Sequence, residues 1–236
     1  MTRSRGEQSR RSVLTGLTWI LRDRVCGECN NGWMARLEDG VSPFLLPAML
    51  GQPVVLEPEA GRRIAFWSAK TALLFQLKAA SAQGQSALAP ASNLEWLYAQ
   101  RADPLPPPGC QVWLASTDAR LGTAEAQVGW HTATTSLPPL DGRLFITVFA
   151  VGYLVVKVSG QAFDVATSKA PDGGDLLQMA LPERYLTSVR SIWPARAEAV
   201  AWPPSSRIPT ETLGEFARGD GSTVLRRTEA RIPRVG

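Results

Sequence analysis

Histidine and cysteine are scarce in this chain, which holds one histidine and three cysteines among 236 residues. An odd number of cysteines, two of them in a Cys-x-x-Cys pair, does not suit a disulfide framework, which needs pairs and an oxidising compartment. We therefore expect a protein of the reducing cytoplasm. Residues 1–25 contain no histidine and no cysteine.

Long apolar runs are missing as well. A membrane span needs about 20 consecutive apolar residues, and no segment approaches that length, so no membrane partner is expected. Residues Ser9–Thr15 resemble a twin-arginine export signal. The apolar stretch behind them, Leu17–Leu21, is ended by charged residues at 22–24. Because an export signal needs about 7–15 apolar residues there, export is not expected.

The net charge of +4 comes entirely from the beginning of the chain, since acidic and basic residues balance over the remainder. Clustered arginines neutralise phosphates and release counterions, so this arm allows a nucleic-acid partner. A solvated leader explains the same charges. We predict a basic disordered arm over residues 1–16. The charged residues of the first 25 positions are Arg3, Arg5, Arg10, Arg11, Arg22, Arg24, Glu7 and Asp23.

Helical periodicity occurs in the first half of the chain. From Trp33 onward apolar residues recur at helical spacing, with charged residues 36, 38 and 39 on the opposite face. Pro43 and Pro47 are expected to limit this helix or break it into two pieces. The segment Glu59–Ala82 is apolar almost all round, which predicts a central buried helix. Asn93–Arg101 predicts a second helix that pairs with it.

From Cys110 the apolar period becomes two, which predicts strands, with a hairpin turning near Val151-Gly152. A further strand, Leu17–Val25, is expected to lead into the cysteine pair, and Thr212–Glu215 has the capping-box form that opens a short helix. The later strands are predicted at Gln111–Ser116, Ala126–Thr135, Arg143–Ala150 and Tyr153–Gly160.

These patterns together predict an α+β fold. Residues 17–50 would form a truncated strand-and-helix element around the cysteine pair. Residues 51–217 would form an α+β domain in which a helix pair packs on an antiparallel sheet. Residues 218–236, rich in glycine and arginine, are expected to be a disordered tail.

Cys26 and Cys29 are separated by two residues, and a tight turn of this kind directs both sulfurs at one zinc ion. A structural zinc needs four ligands, so one pair supplies half of a site. The same spacing occurs in thioredoxin-like redox motifs, but the rest of the chain lacks the strand–helix alternation of that fold. The spacing therefore favours zinc over redox chemistry.

The residues after the second cysteine make the motif more specific. The stretch Cys26–Glu38, CGECNNGWMARLE, closely resembles the CxxCNNGWMxxLE stretch of bacterial HNH endonuclease-like proteins. Softer similarity to the companion region of those proteins covers most of residues 24–217 and includes Phe66–Ala72, Pro106–Leu114 and Val148–Gly152.

The resemblance implies a ββα-metal nuclease site. In such a site a histidine acts as general base, a magnesium or manganese ion stabilises the phosphoryl oxygens, and a structural zinc closes the fold. Cys26 and Cys29 match the second half of the zinc site. Asn30 matches the last motif position on the helix, with Asn31 as a second candidate. Asn30 has the alternative role of capping the helix N-terminus.

The opening half of the motif has no counterpart in this chain. The first Cys-x-x-Cys pair and the strand that bears the histidine would precede Cys26, and residues 1–25 contain no cysteine and no histidine. The resemblance therefore implies a nuclease-like site that is catalytically incomplete as this chain stands.

Three residues elsewhere are further candidates. His131 has no acidic partner in sequence reach and is expected to be structural, while Cys110 is expected to be a small buried hydrophobe. A zinc site formed by Cys26, Cys29, Cys110 and His131 has the right number of ligands but no support from their spacing. Lys70 shares a helical face with apolar residues, so a structural ion pair is expected for it rather than catalysis.

Two functions stay open. The first is an HNH endonuclease-like protein that binds nucleic acid through its basic arm, and that would be a metal-dependent phosphodiester hydrolase if its missing half were restored. The second is a protein or small-ligand interaction module with a vestigial cysteine motif. The neutral charge balance of residues 26–236 favours the second mildly.

Overall fold

Helices dominate the first part of the chain in a computed structural model that describes residues 25–82, 91–121, 133–134, 143–161, 175–179, 181, 183–194, 197–218 and 225–229. The central helix expected at 59–82 and the helix expected at 93–101 are both confirmed. The helices are α1 Gly27–Cys29, α2 Ala35–Met49, α3 Pro58–Ala82, α4 Ala91–Ala99 and α5 Leu213–Arg218, and a π-type turn, Asn30–Met34, joins α1 to α2.

Strands dominate the second part, and the predicted α+β class is confirmed. The main sheet has the order β3-β4-β2-β6, and all three of its pairings are antiparallel. Two further ribbons pair β1 with β7 and β5 with β8. The strands are β1 Val54–Leu56, β2 Gln111–Leu121, β3 Ala133–Thr134, β4 Arg143–Gln161, β5 Asp175–Met179, β6 Val189–Trp193, β7 Val200–Trp202 and β8 Leu225–Glu229.

The main sheet buries apolar side chains on both faces. One face packs on α2 and α3, and Phe66, Leu114 and Val156 lie in that core. The other face is covered by Tyr185, Ile208 and Phe216 from the C-terminal part of the chain. The helices that position the cysteine pair are therefore held by the larger of two cores.

Helix α2 contains both prolines that were expected to limit or break it, so that prediction is wrong. A proline removes one backbone donor and frees the carbonyl four residues earlier. Pro43 is exposed and Pro47 is partly exposed, whereas Val41, Leu45 and Ala48 face the core. Because the defects fall on the solvent side, water can hydrate the freed carbonyls while the apolar face stays packed.

The hairpin expected near Val151-Gly152 is confirmed, because the long element β4 reverses direction there. A Cβ atom on Gly160 would collide with the ring of Phe145, whereas fifteen residues of strand without a reversal would separate the two by about 50 Å. Phe145 and Phe149 face the helices before this point, and Leu154 and Val156 face them after it. A two-residue turn produces this change from odd to even positions, because residues that lie opposite each other in a hairpin share a face. Gly152 has a φ of +60° and is the residue of the turn that needs a positive φ.

The short helix expected to open at Thr212–Glu215 is confirmed as α5, Leu213–Arg218, but Thr212 does not make the expected capping box. Thr212 ends a short 3₁₀ turn, and its hydroxyl donates to the carbonyl of Pro209 at 2.9 Å. The turn is anchored instead by Asp118 of β2, which accepts from the backbone N–H of Thr210 at 3.0 Å. Strand β8 lies inside the stretch expected to be disordered, so the structure differs from that expectation at 225–229.

Candidate metal centre

The cysteine turn, residues 26–34, begins with a helical turn that brings the two cysteines together. Cys26 occupies the N-cap position, where its carbonyl accepts from the N–H of Asn30 at 3.0 Å. The N–H of Cys29 donates to the Sγ of Cys26 at 3.3 Å. The strand predicted to lead into this turn, Leu17–Val25, lies outside the described residues except for Val25.

The hydrogen bonds of the turn shift the pKa values of the two thiols in opposite directions. The backbone N–H of Cys29 lowers the pKa of Cys26, and the thiol of Cys29 lowers it further by donating to the same sulfur. That donation raises the pKa of Cys29, and burial adds to the rise, while the indole of Trp33 opposes it. Cys26 is exposed and Cys29 is partly exposed, so the thiol that loses its proton more easily also faces solvent.

Asn30 does not cap the helix, so that alternative is wrong, because Cys26 takes the N-cap position and Asn30 already has helical backbone angles. The amide nitrogen of Asn30 donates to Oδ1 of Asn31 at 3.3 Å. Asn30 is partly exposed and Asn31 is exposed. The two amides predicted as catalytic positions thus lie side by side on the surface, next to the cysteines.

Trp33 ties the cysteine turn to the core. Its ring lies 6.2 Å from that of Phe66 on α3, measured between centroids, and 8% of its surface is exposed. The indole Nε1 is buried and makes no hydrogen bond of ordinary geometry, although it is close enough to Cys29 to influence its pKa. The turn is therefore a packed part of the fold rather than a free loop.

The residues present do not complete a tetrahedral zinc site within the described part of the chain. No three side chains of histidine, cysteine, aspartate or glutamate come together there. Cys110 lies in the main core, 2% exposed, and burial raises its pKa to about 12. It behaves as the predicted small hydrophobe, and it does not join Cys26 and Cys29. His131 lies outside the described residues.

A cavity of about 220 Å³ opens beside the cysteine turn. Cys26, Cys29 and Met34 line one side of it. Helices α3 and α4 supply the other side, which is apolar apart from one ammonium group and the exposed ring at its rim: Lys70, Leu74, Leu77, Leu94, Leu97 and Tyr98. A cavity of this composition suits a small, mostly apolar guest or an ion that prefers sulfur.

Lys70 is the single charged side chain on the cavity wall, and it has the ion pair that was expected for it. Its Nζ lies 2.6 Å from Oε1 of Glu38, with Lys70 2% exposed and the Glu38 side chain 39% exposed. Burial lowers the pKa of Lys70, and the nearby carboxylate opposes that effect. The pair joins α2 to α3 directly behind the cysteine turn.

Sequence reasoning missed Glu38 as the partner, because it placed this residue on the polar face of α2. The available signal was its position next to Leu37, at the border of the apolar face. A long side chain at that border reaches inward when a buried cation is there to meet it. The contribution of α4 to the cavity was missed for another reason, since no sequence pattern shows which helices pack together.

Comparisons with known proteins add no relative, because no family model, curated protein or solved structure matches this chain. Within the part of the chain that the structure describes, none of the helices is long and apolar enough to cross a bilayer.

Proposed function

We propose that this chain is an HNH endonuclease-like protein that binds nucleic acid and, as it stands, cannot cleave it. The observation that supports this best is the cysteine turn itself. Cys26, Cys29 and Asn30 share one helical turn that is packed on the core through Trp33. This matches the order of second zinc pair and last motif residue that the resemblance implies.

Nucleic-acid binding is assigned to the basic arm because the described arginines at the start of α3 are already paired. Arg62 donates to Glu59 and to Asp103, with contacts of 2.9 and 2.6 Å. Arg63 meets Glu59 at 2.9 Å. Charges neutralised in this way contribute little to phosphate binding, so the excess arginines before Cys26 would supply most of the attraction.

Duplex DNA binding tests the proposal. If about four arginines contact phosphates, the logarithm of the binding constant should fall with the logarithm of salt concentration at a slope near −3.6. Replacing Arg3, Arg5, Arg10 and Arg11 with glutamine should abolish most of the binding, measured by fluorescence anisotropy over a salt series.

The matched control replaces Arg62 and Arg63 with glutamine, which removes paired arginines and should leave DNA affinity nearly unchanged. Full affinity after loss of the four arm arginines would show that the folded part contacts the backbone. Absence of binding at low salt with the arm intact would contradict the proposal and favour an interaction module.

Catalytic incompleteness has its own test. A phosphodiester hydrolase of this type needs a general base, and residues 1–25 hold no histidine to serve as one. Incubation of supercoiled plasmid with the protein and Mg²⁺ or Mn²⁺ should give no more nicking than a protein-free control. Cleavage that disappears in Asn30→Ala would show instead that the cysteine turn carries a working site.

The cavity favours a second candidate, a small-ligand interaction module. Its walls are mainly leucine side chains from α3 and α4, with one buried ammonium group. Such a composition is typical of sites for small apolar molecules. DNA affinity that is absent at low salt, together with a thermal shift in the presence of an apolar compound, would favour this function over the first.

A further inference from the structure

Three sulfur-containing side chains of the cysteine turn line one cavity. The thiols of Cys26 and Cys29 lie three positions apart on one turn, linked by the 3.3 Å contact between the Cys29 N–H and the Cys26 Sγ. Met34, at the end of the π-type turn, lines the same cavity with its thioether side chain. The structure thus places two thiols and one thioether around a single space.

This donor set does not suit zinc, which takes four ligands in structural sites. Among the described residues, no histidine, aspartate, glutamate or further cysteine joins the cysteine pair as a third ligand. Soft metal ions behave differently, because thiolate and thioether sulfur are the donors that select Cu(I). Cu(I), a closed-shell d¹⁰ ion, is stable with two or three sulfur ligands and needs no oxygen or nitrogen donor.

The surroundings of the sulfurs suit the same ion. Two thiolates around one monovalent cation carry a net charge of −1, and the ammonium of Lys70 lies on the cavity wall. Its partner carboxylate on Glu38 is 39% exposed and screened by solvent, whereas Lys70 is 2% exposed. The remaining walls on α3 and α4 are apolar, which limits the access of water and hard anions from that side, while Cys26 leaves the other side open to solvent.

We propose that Cys26, Cys29 and Met34 form a binding site for a soft monovalent metal ion, Cu(I), with sulfur as its only donor. Binding exchanges two thiol protons for the ion and involves no oxidation or reduction. The inference does not rest on nucleic-acid binding, because none of these residues belongs to the basic arm. It follows from the mismatch between the sulfur set and a tetrahedral zinc site.

Anaerobic titration of the full chain with Cu(I), in competition with bathocuproine disulfonate, tests the proposal. We expect one Cu(I) per chain. Cys26→Ser and Cys29→Ser should each lose the ability to compete with the chelator. Cys110→Ala, which removes the buried thiol outside the cavity, should bind as the parent does. Circular dichroism of each variant establishes that it is folded.

Met34→Leu tests whether the ion is held by all three sulfur-containing side chains or by the two exposed thiols alone. The substitution keeps the volume of the side chain and removes its sulfur, and we expect affinity to fall about tenfold, as for loss of a group that tunes a metal site. X-ray absorption should show sulfur alone around the copper, with one scatterer fewer in this variant.

Three results would overturn the proposal. The first is Cu(I) binding that survives in the Cys26→Ser/Cys29→Ser double variant. The second is equal affinity of the native chain and the chain unfolded in urea, which would mean that the cavity contributes nothing. The third is stoichiometric Zn²⁺ in the monomer that excess Cu(I) fails to displace.

Discussion

Replacing Gly152 with alanine is expected to lower the free energy of unfolding by about 3 kcal/mol, from the cost of a left-handed backbone plus overpacking. Gly152 has a φ of +60°, a conformation that L side chains rarely adopt. A Cβ atom built on it would collide with the carbonyl oxygen of Met49, the last residue of α2. Alanine at 152 must therefore push the end of α2 away from β4.

Gly40→Ala is the matched control, because Gly40 lies within α2 itself. A Cβ there meets nothing closer than Nη1 of Arg63 at 3.9 Å. Since glycine in a helix interior costs about 0.5–1 kcal/mol relative to alanine, this substitution should stabilise the protein slightly. Urea unfolding followed by circular dichroism measures both variants. Equal stability of Gly152→Ala and the parent would show that the turn at Gly152 accommodates a side chain without strain.

The turn at Val151-Gly152 could be predicted from the local pattern. Two apolar runs of period two joined at a glycine predict a hairpin, and Gly152 supplies the positive φ that such a turn needs. The sequence did not show the close approach of Met49 to Gly152. This contact joins residues about a hundred positions apart, which no local pattern contains.

Long helical patterns also predicted structure reliably. Apolar residues through Glu59–Ala82 left no alternative to a buried helix, and the observed helix, Pro58–Ala82, begins one residue earlier. The prediction that Pro43 and Pro47 would limit the helix was wrong. The free-energy cost of a proline inside a helix depends on whether water hydrates the carbonyl that it leaves without a partner. That depends on which face of α2 is buried, and hence on α3 and the sheet.

The candidate site was predictable only in its local part. The spacing of Cys26 and Cys29 was enough to expect both on one turn, and the structure places them so. The cavity beside them depends on Leu94 and Leu97 of α4 meeting Leu74 of α3. Such pairings follow from tertiary packing, so the cavity and its three sulfur donors became visible only with the fold.

Removing the carboxylate from the Lys70–Glu38 pair should have the second large effect. Glu38→Gln keeps the shape of the side chain and leaves the Lys70 ammonium, 2% exposed, without its charged partner. A buried charged donor that loses its partner costs about 1–3 kcal/mol. Since 39% of the Glu38 side chain is exposed, water can replace part of the lost contact. We therefore expect Glu38→Gln to lower the free energy of unfolding by about 2 kcal/mol.

The pair also makes stability depend on pH, with a sign that follows from burial. Burial lowers the pKa of Lys70 in the folded protein below its ordinary value of 10.5. At pH values between the lowered pKa of Lys70 in the folded protein and 10.5, the unfolded chain binds more protons than the folded one. The free energy of unfolding therefore rises with pH across that window. Below the window both states carry the proton, and the cost of the buried ammonium is present in full. Glu38→Gln should lower the folded pKa further and extend the window downward.

Lys70→Met identifies the source of this dependence. Methionine fills similar space without a charge, so the variant should lose the rise in stability toward pH 10.5 that the parent shows. Adding Glu38→Gln to Lys70→Met should then cost little, because no buried charge is left unpaired, and uncharged replacements of buried pairs are often neutral. Urea unfolding of the four proteins at pH 7 and at pH 10 measures the coupling. Equal costs of Glu38→Gln with and without Lys70 would show that the 2.6 Å contact contributes nothing to folding.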